Sequence, residues 1–190
     1  MKHPVIAMAL IFVAVLVACK SKEETTKPTA TKEELIKRGE YLVQISGCND
    51  CHSPKKPGPN GPELVPELML SGYSQDMPIP QGDKNVLAAG FSVFAPDLTA
   101  ATGPWGTSFS ANITPDTATG IGGWTEEQFK KSLTKGKFKG QDGGRQLLPP
   151  MPWFNYAKMA DEDVKAIFSY LKSIKPVNNA VRFPIKPGQQ

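Results

Sequence analysis

The five residues Cys48-Asn49-Asp50-Cys51-His52 decide how this chain folds. They include two of the three cysteines and one of the two histidines in a sequence of 190 residues. The two-residue spacer puts both cysteine side chains on one helical turn, and the histidine follows directly. The other histidine, His3, belongs to an apolar N-terminal segment. The five-residue stretch is therefore the candidate functional site of the chain.

Cys-x-x-Cys-His is the attachment sequence of c-type haem. In such a site each thiol is bonded to one vinyl group of the porphyrin, and the imidazole binds iron from one face. The sequence thus predicts one covalent haem c held by Cys48, Cys51 and His52. Three other interpretations compete: a thioredoxin-like redox pair, a structural zinc site and a plain disulfide. The first needs a βαβ context, the second needs four ligands, and the third stabilises little across so short a loop.

Few side chains can supply the second axial ligand of the iron, because no other histidine follows the N-terminal segment. The occupant of that axial position is a methionine, a lysine, water or nothing. Met151 is the preferred ligand, since prolines on both sides stiffen the loop that carries it. Met159, just before the last predicted helix, is the alternative. An open sixth position would instead indicate a haem enzyme or a gas-binding sensor.

The N-terminal segment has the features of an export signal. A basic start precedes the uncharged run Val5–Val17, which is too short to cross a bilayer but suits a signal peptide. Leu16-Val17-Ala18-Cys19 resembles the lipobox of bacterial lipoproteins, which implies cleavage before Cys19 and its acylation. We expect a signal peptide over 1–18, a lipidated flexible tether over 19–30, and a membrane-anchored protein facing the periplasm or the cell exterior. An ordinary secretory signal with an incidental cysteine is the alternative.

Three longer helices are predicted from capping signals and apolar spacing. The first also carries Gly39, which we expect to let the last helix, with Tyr170, cross at close range. The helices run from the Thr31-x-x-Glu34 capping box to about Ser46, from the Thr125-x-x-Gln128 capping box to near Gly136, and from near Asp161 to before Pro176.

The composition favours a small apolar core. The sequence has 17 Gly and 18 Pro, many of them within 54–120, which is expected to form a long loop wrapping the haem edge. Residues 1–18 are almost entirely apolar, so the remainder is less apolar than the overall 39% and a bound cofactor would supply part of its core. A net charge of +4 is too small to indicate nucleic-acid binding.

Several strings in the second half resemble class I c-type cytochromes, and most closely the cytochrome domains of bacterial membrane-bound dehydrogenases. The resemblance covers about 31–176, followed by a tail over 177–190, and it implies an all-α, cytochrome c-like helical domain around one covalent haem. It assigns the distal iron ligand to Met151. The matching strings are Asn112-Ile113-Thr114-Pro115-Asp116, Thr119-Gly120-Ile121-Gly122, Trp124-Thr125-Glu126-Glu127, Leu148-Pro149-Pro150-Met151-Pro152, Ala157-Lys158-Met159-Ala160-Asp161-Glu162-Asp163 and Tyr170-Leu171.

The resemblance also implies further hydrogen bonds around the haem. In such cytochromes a proline carbonyl often accepts a hydrogen bond from the proximal histidine; Pro59 is the best match and Pro62 the alternative. Trp124 is interpreted either as a hydrogen-bond donor to a haem propionate or as a core residue. Arg145 is a less favoured propionate partner.

The function that these patterns predict is electron transfer rather than catalysis. The expected partners are redox proteins, either a dehydrogenase or an oxidase of a respiratory complex, and a membrane through the lipid anchor. Dehydrogenase cytochrome subunits usually carry several haem domains, whereas this sequence has one motif, so a particular partner is not implied. A run of basic side chains is either solvated surface or a docking site for an acidic partner: Lys130, Lys131, Lys135, Lys137 and Lys139.

Overall fold

The computed structural model describes residues 30–79 and 82–189; the expected signal peptide, Cys19 and nearly all of the tether lie outside these ranges. The described residues form five α-helices and two small antiparallel sheets. The helices are α1 (Lys32–Ile45), α2 (Cys48–His52), α3 (Lys84–Ala88), α4 (Glu126–Lys135) and α5 (Asp161–Ser173). The strands are β1 (Lys55–Gly58), β2 (Gly61–Leu64), β3 (Val93–Phe94), β4 (Ala100–Gly103) and β5 (Gly106–Phe109), and short 3-10 helices cover Pro66–Leu68, Phe138–Gly140 and Trp153–Tyr156.

The helix boundaries follow the capping signals. Thr31 and Glu34 form a complete capping box at the start of α1, and Thr125 and Gln128 form another at the start of α4. Gly136 ends α4 in the left-handed conformation, with φ 63°. The helix α5 begins at Asp161 with three acidic residues in its first turn, which interact favourably with the helix dipole. The three predicted helices are confirmed.

The prediction of an all-α fold is wrong, because the Gly- and Pro-rich region between α2 and α4 contains two small antiparallel sheets. β1 and β2 form an antiparallel hairpin in which Pro57 faces Pro62. β3, β4 and β5 form a second antiparallel sheet in that order. These strands have only two to four residues, and several contain Gly or Pro. Such short runs lack the alternating apolar pattern that identifies a strand in a sequence.

The second sheet supports its own small hydrophobic cluster. All four residues of β4 are buried, and Tyr73, Ala95 and Ala100 form the centre of the cluster. The Tyr73 ring packs on Phe109 of β5, with ring centroids 4.7 Å apart. The segment predicted as a loop is therefore a packed part of the domain.

The chain after α5 packs against the same sheet region. The Asn179 side-chain amide donates to the carbonyl oxygens of Ser71 at 2.7 Å and Tyr73 at 2.9 Å. Farther along, Ile185 pairs with Thr107 of β5 in an antiparallel bridge. The C-terminal tail is thus hydrogen-bonded to the sheet region of the domain.

The main hydrophobic core lies where α1 and α5 cross. Its buried residues come from both helices, from α4 and from the connecting segments: Leu42, Val43, Leu70, Ile121, Phe129, Val164, Ala166, Ile167 and Leu171. A Cβ added at Gly39 would collide with the backbone of Ala166 and lie 2.7 Å from the Cβ of Tyr170. The expected close crossing is confirmed. None of the helices within the described ranges is long and apolar enough to cross a bilayer.

Gly39→Ala is expected to lower the free energy of unfolding by about 1–3 kcal/mol, because the added methyl forces the two helices apart. The loss should appear even though Ala favours an isolated helix by about 1 kcal/mol over Gly. Gly123→Ala is the matched control, since a Cβ there meets nothing within 4 Å. Denaturant unfolding of both variants measures the difference. Equal midpoints would contradict the close packing at Gly39.

Candidate functional site

The Cys48–His52 stretch forms a single helical turn directly after α1. Gly47 separates the two helices, and its left-handed conformation, φ 67°, turns the chain between them. Cys48 and Cys51 lie three residues apart on α2, so their side chains share one face. Both are free, partly buried thiols, and Cys48 packs against the main hydrophobic cluster. This arrangement presents two thiols side by side at the edge of an apolar core.

The electrostatic surroundings of the thiols argue against a redox dithiol. Burial raises the pKa of Cys48 to about 11, and it also raises the pKa of Cys51. Thiol–disulfide enzymes instead lower the pKa of their reactive cysteine. A structural zinc site is not favoured either, because the described residues contain no group of three or more His, Cys, Asp or Glu side chains placed to hold a metal.

The His52 imidazole is fixed in orientation by the backbone. Its Nδ1 lies 2.8 Å from the carbonyl oxygen of Ala111, a distance at which Nδ1–H donates and Nε2 is left as the free acceptor. Burial lowers the pKa of His52, which favours the neutral ring. A neutral imidazole whose second nitrogen is hydrogen-bonded is the form that binds metals.

The acceptor at His52 differs from the expected Pro59. Pro59 lies in the turn of the β1–β2 hairpin, and Pro62 is paired with Pro57 within that hairpin. Ala111 takes the position because residues 110–113 run beside residues 70–73, with Tyr73 N donating to Ser110 O at 2.9 Å and Ile113 N donating to Leu70 O at 3.0 Å. In this structure the acceptor is therefore the Ala111 carbonyl and not a proline carbonyl, and a role for Pro59 at a bound haem stays a prediction.

A glycine allows this close approach. Gly72 has φ 79°, and a Cβ there would lie 2.6 Å from the carbonyl oxygen of Ala111. The Gly72 amide also donates to the carbonyl of His52 at 2.7 Å. The glycine therefore brings together the two segments that hold His52. The sequence shows this glycine but does not identify Ala111 as the partner of His52.

The segment after Met151 lies beside the cysteines. The Tyr156 hydroxyl donates to the carbonyl oxygen of Ser46, at the end of α1, at 3.1 Å. Burial raises the pKa of Tyr156, and the nearby Cys48 and Cys51 raise it further. Tyr156 belongs to the 3-10 helix that starts two residues after Met151. The Met151 loop is thus tied to the end of α1, two residues before Cys48.

The two candidate methionines have different surroundings. Met151 is partly buried in the loop between α4 and the 3-10 helix. Met159 packs against the main hydrophobic cluster, as a core side chain does. Ser108 of β5 also contacts the Met151 loop, because its hydroxyl donates to the Pro149 carbonyl at 2.5 Å. No local pattern in the sequence indicates this bond.

The remaining predicted contacts are mostly structural. Trp124 packs against the main cluster, and its role toward a haem propionate stays a prediction. The Arg145 guanidinium lies 4.1 Å from the centre of the Phe138 ring and donates to the Gln146 carbonyl. Two lysines of the basic run are ion-paired on the surface: Lys130 with Asp161 and Lys131 with Asp142.

The site fits a covalently attached haem. Two free thiols share one helical face, and the adjacent imidazole has one nitrogen engaged and the other available. An apolar cluster that the porphyrin could extend lies directly behind Cys48. In such an arrangement Cys48 and Cys51 would hold the porphyrin and His52 would bind its iron.

Known proteins with similar sequences include cytochrome subunits of bacterial dehydrogenases. The chain is 30% identical over 179 residues to the fructose dehydrogenase cytochrome subunit of Gluconobacter japonicus, covering 93% of this chain and 29% of that protein. It is 34% identical over 149 residues to the gluconate 2-dehydrogenase cytochrome c subunit of Pantoea cypripedii, covering 78% and 25%. It is 26% identical over 173 residues to a diheme cytochrome c-type protein of Cereibacter sphaeroides, covering 87% and 47%.

These similarities support a cytochrome c-like domain in this chain. The chain spans less than a third of the length of the two dehydrogenase subunits, and about half of the diheme protein. No family model matches the chain.

Proposed function

We propose that this chain is an electron-transfer cytochrome that carries one haem c, bonded to Cys48 and Cys51. The hydrogen bond from His52 Nδ1 to the Ala111 carbonyl is the observation that best supports it, because it prepares Nε2 for iron. When bound, haem c supplies iron that changes between the ferrous and ferric states by one electron without making or breaking bonds.

The protein's contribution is to hold the ligands. The Ala111 carbonyl fixes the plane of the His52 ring and increases the basicity of Nε2. Met151 would hold the iron together with His52, since its loop is tied to the end of α1 through Tyr156 whereas Met159 packs against the main hydrophobic cluster. A thioether ligand favours the reduced state of the iron and raises the reduction potential.

The proposed role is that of a carrier rather than an enzyme. The similar proteins are named as cytochrome subunits of dehydrogenases, not as the dehydrogenases themselves. A dehydrogenase or another respiratory redox protein is the proposed partner. The number of haems rests on the single Cys-x-x-Cys-His sequence in this chain, although one similar protein is a diheme cytochrome.

We also propose that Cys19 carries the lipid anchor and that the domain faces the periplasm or the cell exterior. The support is the lipobox-like sequence Leu16-Val17-Ala18-Cys19 after an uncharged apolar run. Two or more acyl chains are needed for stable attachment, which triacylation of the cysteine would provide. Cells grown with a tagged fatty acid should yield labelled protein. Protein purified from such cells without label would contradict the anchor.

An anaerobic redox titration of the native protein tests the function. A single one-electron wave in the visible spectrum is expected. Carbon monoxide added to the reduced protein should cause no prompt spectral change, because His52 and Met151 would both bind the iron. Prompt carbon monoxide binding would indicate an open sixth position, and so a haem enzyme or gas sensor.

A further inference from the structure

The Lys55 ammonium lies among backbone carbonyls at the end of the haem-attachment turn. Its Nζ donates to the carbonyl oxygens of Asp50 at 2.7 Å and Ser53 at 3.1 Å, and it lies 3.4 Å from that of Asn49. A fourth carbonyl, that of Asp97, is 2.9 Å away. An ammonium group has three hydrogens to donate, so these four oxygens share them.

Three of these carbonyls belong to α2 and its C-terminal end. The Asn49 carbonyl also accepts from the Ser53 amide at 3.3 Å, and the last carbonyls of a helix form the negative end of its dipole. Lys55 supplies both a donor and a positive charge there. Because α2 is a single turn, this contact acts on the same backbone that carries Cys51 and His52.

The fourth carbonyl ties this turn to the second sheet. Asp97 lies between β3 and β4, and its buried carboxylate accepts hydrogen bonds from the amide and hydroxyl of Thr99. That pairing fixes the Asp97 backbone, so the Lys55 ammonium has a rigid second support. The Lys55 side chain thereby connects the attachment turn to the second sheet.

The charge of Lys55 is not neutralised by an ion pair. Among the ion pairs of the described residues, none includes Lys55, and the partners of its Nζ are all carbonyl oxygens. The side chain is also partly buried, which reduces screening by solvent. A positive charge in such a position acts on nearby groups more strongly than one on an exposed lysine.

We propose that Lys55 is a positioning residue for the haem-attachment turn and that its charge raises the reduction potential of the bound haem. The proposal rests on the proposed attachment of haem to Cys48 and Cys51. Ferric iron carries one more positive charge than ferrous iron, so a fixed cation beside the attachment turn disfavours the oxidised state.

The test compares the reduction potentials of holoprotein variants. Lys55→Met removes the charge with a side chain of similar length and should shift the redox equilibrium toward the oxidised form by about four- to fifteenfold, the order of magnitude for one partly buried charge near a redox group. Lys56→Met, which removes the exposed neighbouring charge, is the matched control and should change the equilibrium by less than about twofold.

The Lys55→Arg variant distinguishes the effect of the charge on the potential from the effect of side-chain packing. It keeps the cation, so its potential should stay close to that of the native protein even where the different side-chain shape lowers stability. A merely structural role would not restore the potential in this way. If Lys55→Met yields no holoprotein, Lys55→Gln, which keeps two donors without the charge, is measured in its place.

The outcomes separate this proposal from the proposed function. A Lys55→Met or Lys55→Gln potential equal to that of the Lys56→Met control, in protein with covalent haem, would overturn the role of Lys55 and leave the cytochrome assignment intact. Absence of covalent haem from the native protein would overturn both. Loss of haem from the Met and Gln variants together with its retention in Lys55→Arg would support the positioning role.

Discussion

Replacing Met151 with alanine is expected to abolish the thioether–iron charge-transfer band of the oxidised protein. The methyl side chain cannot reach the iron, so the sixth position opens to water or added ligands. The reduction potential should fall, because the thioether no longer favours ferrous iron. Reduced Met151→Ala protein should then bind carbon monoxide promptly, in contrast to the native protein. Visible absorption spectroscopy measures both effects.

Met159→Ala is the control for this prediction. Met159 is partly buried against the main hydrophobic cluster, so its truncation should lower the free energy of unfolding by about 0.5–3 kcal/mol. Its charge-transfer band should remain. Loss of the band in Met159→Ala together with its retention in Met151→Ala would reverse the assignment of the ligand.

The second large effect is expected from the double variant Cys48→Ser/Cys51→Ser. Hydroxyl groups do not form the thioether bonds, so no haem should stay with the chain on a denaturing gel. The domain should also lose stability, since the apolar surface around Cys48 would lack its covalently held partner. Haem staining and thermal unfolding measure the two consequences.

Asp50→Asn is the matched control for the cysteine variants. Asp50 lies between the two cysteines and is exposed, and the variant keeps both thiols. Covalent haem should be retained at the native level. A haem-stained band from the double serine variant would show that the attachment is elsewhere and would refute the site.

The sequence was sufficient for the longer helices because their signals are local. A capping box such as Thr31 with Glu34 lies within four consecutive residues, and apolar spacing marks the buried face of each helix. The crossing at Gly39 was also predictable, since a glycine within a helix with apolar spacing suggests close packing. The structure confirms it through the contacts with Ala166 and Tyr170.

The sheets could not be predicted in the same way because their stability comes from distant partners. β4 consists of Ala100–Gly103, which has little strand propensity of its own. It is buried by pairing with its neighbours in the sheet and by packing beside Tyr73. Tertiary contacts of this kind override local preference.

The residues of the site show the same distinction between what the sequence identifies and what only the folded chain shows. The cysteines and the histidine are visible in the sequence because their side-chain types carry the chemistry. The Ala111 carbonyl is invisible, since every residue has such a group and only the folded chain shows which one reaches His52. The Lys55 contacts were missed for a related reason, because all of its partners are backbone oxygens.

The central claim is that a porphyrin bonded through Cys48 and Cys51 completes this domain. The intact mass of the native protein, purified from its host and measured under denaturing conditions, tests it most directly. The expected mass is that of the polypeptide, with its acyl groups where present, plus one haem. A mass that contains no haem would refute the covalent attachment.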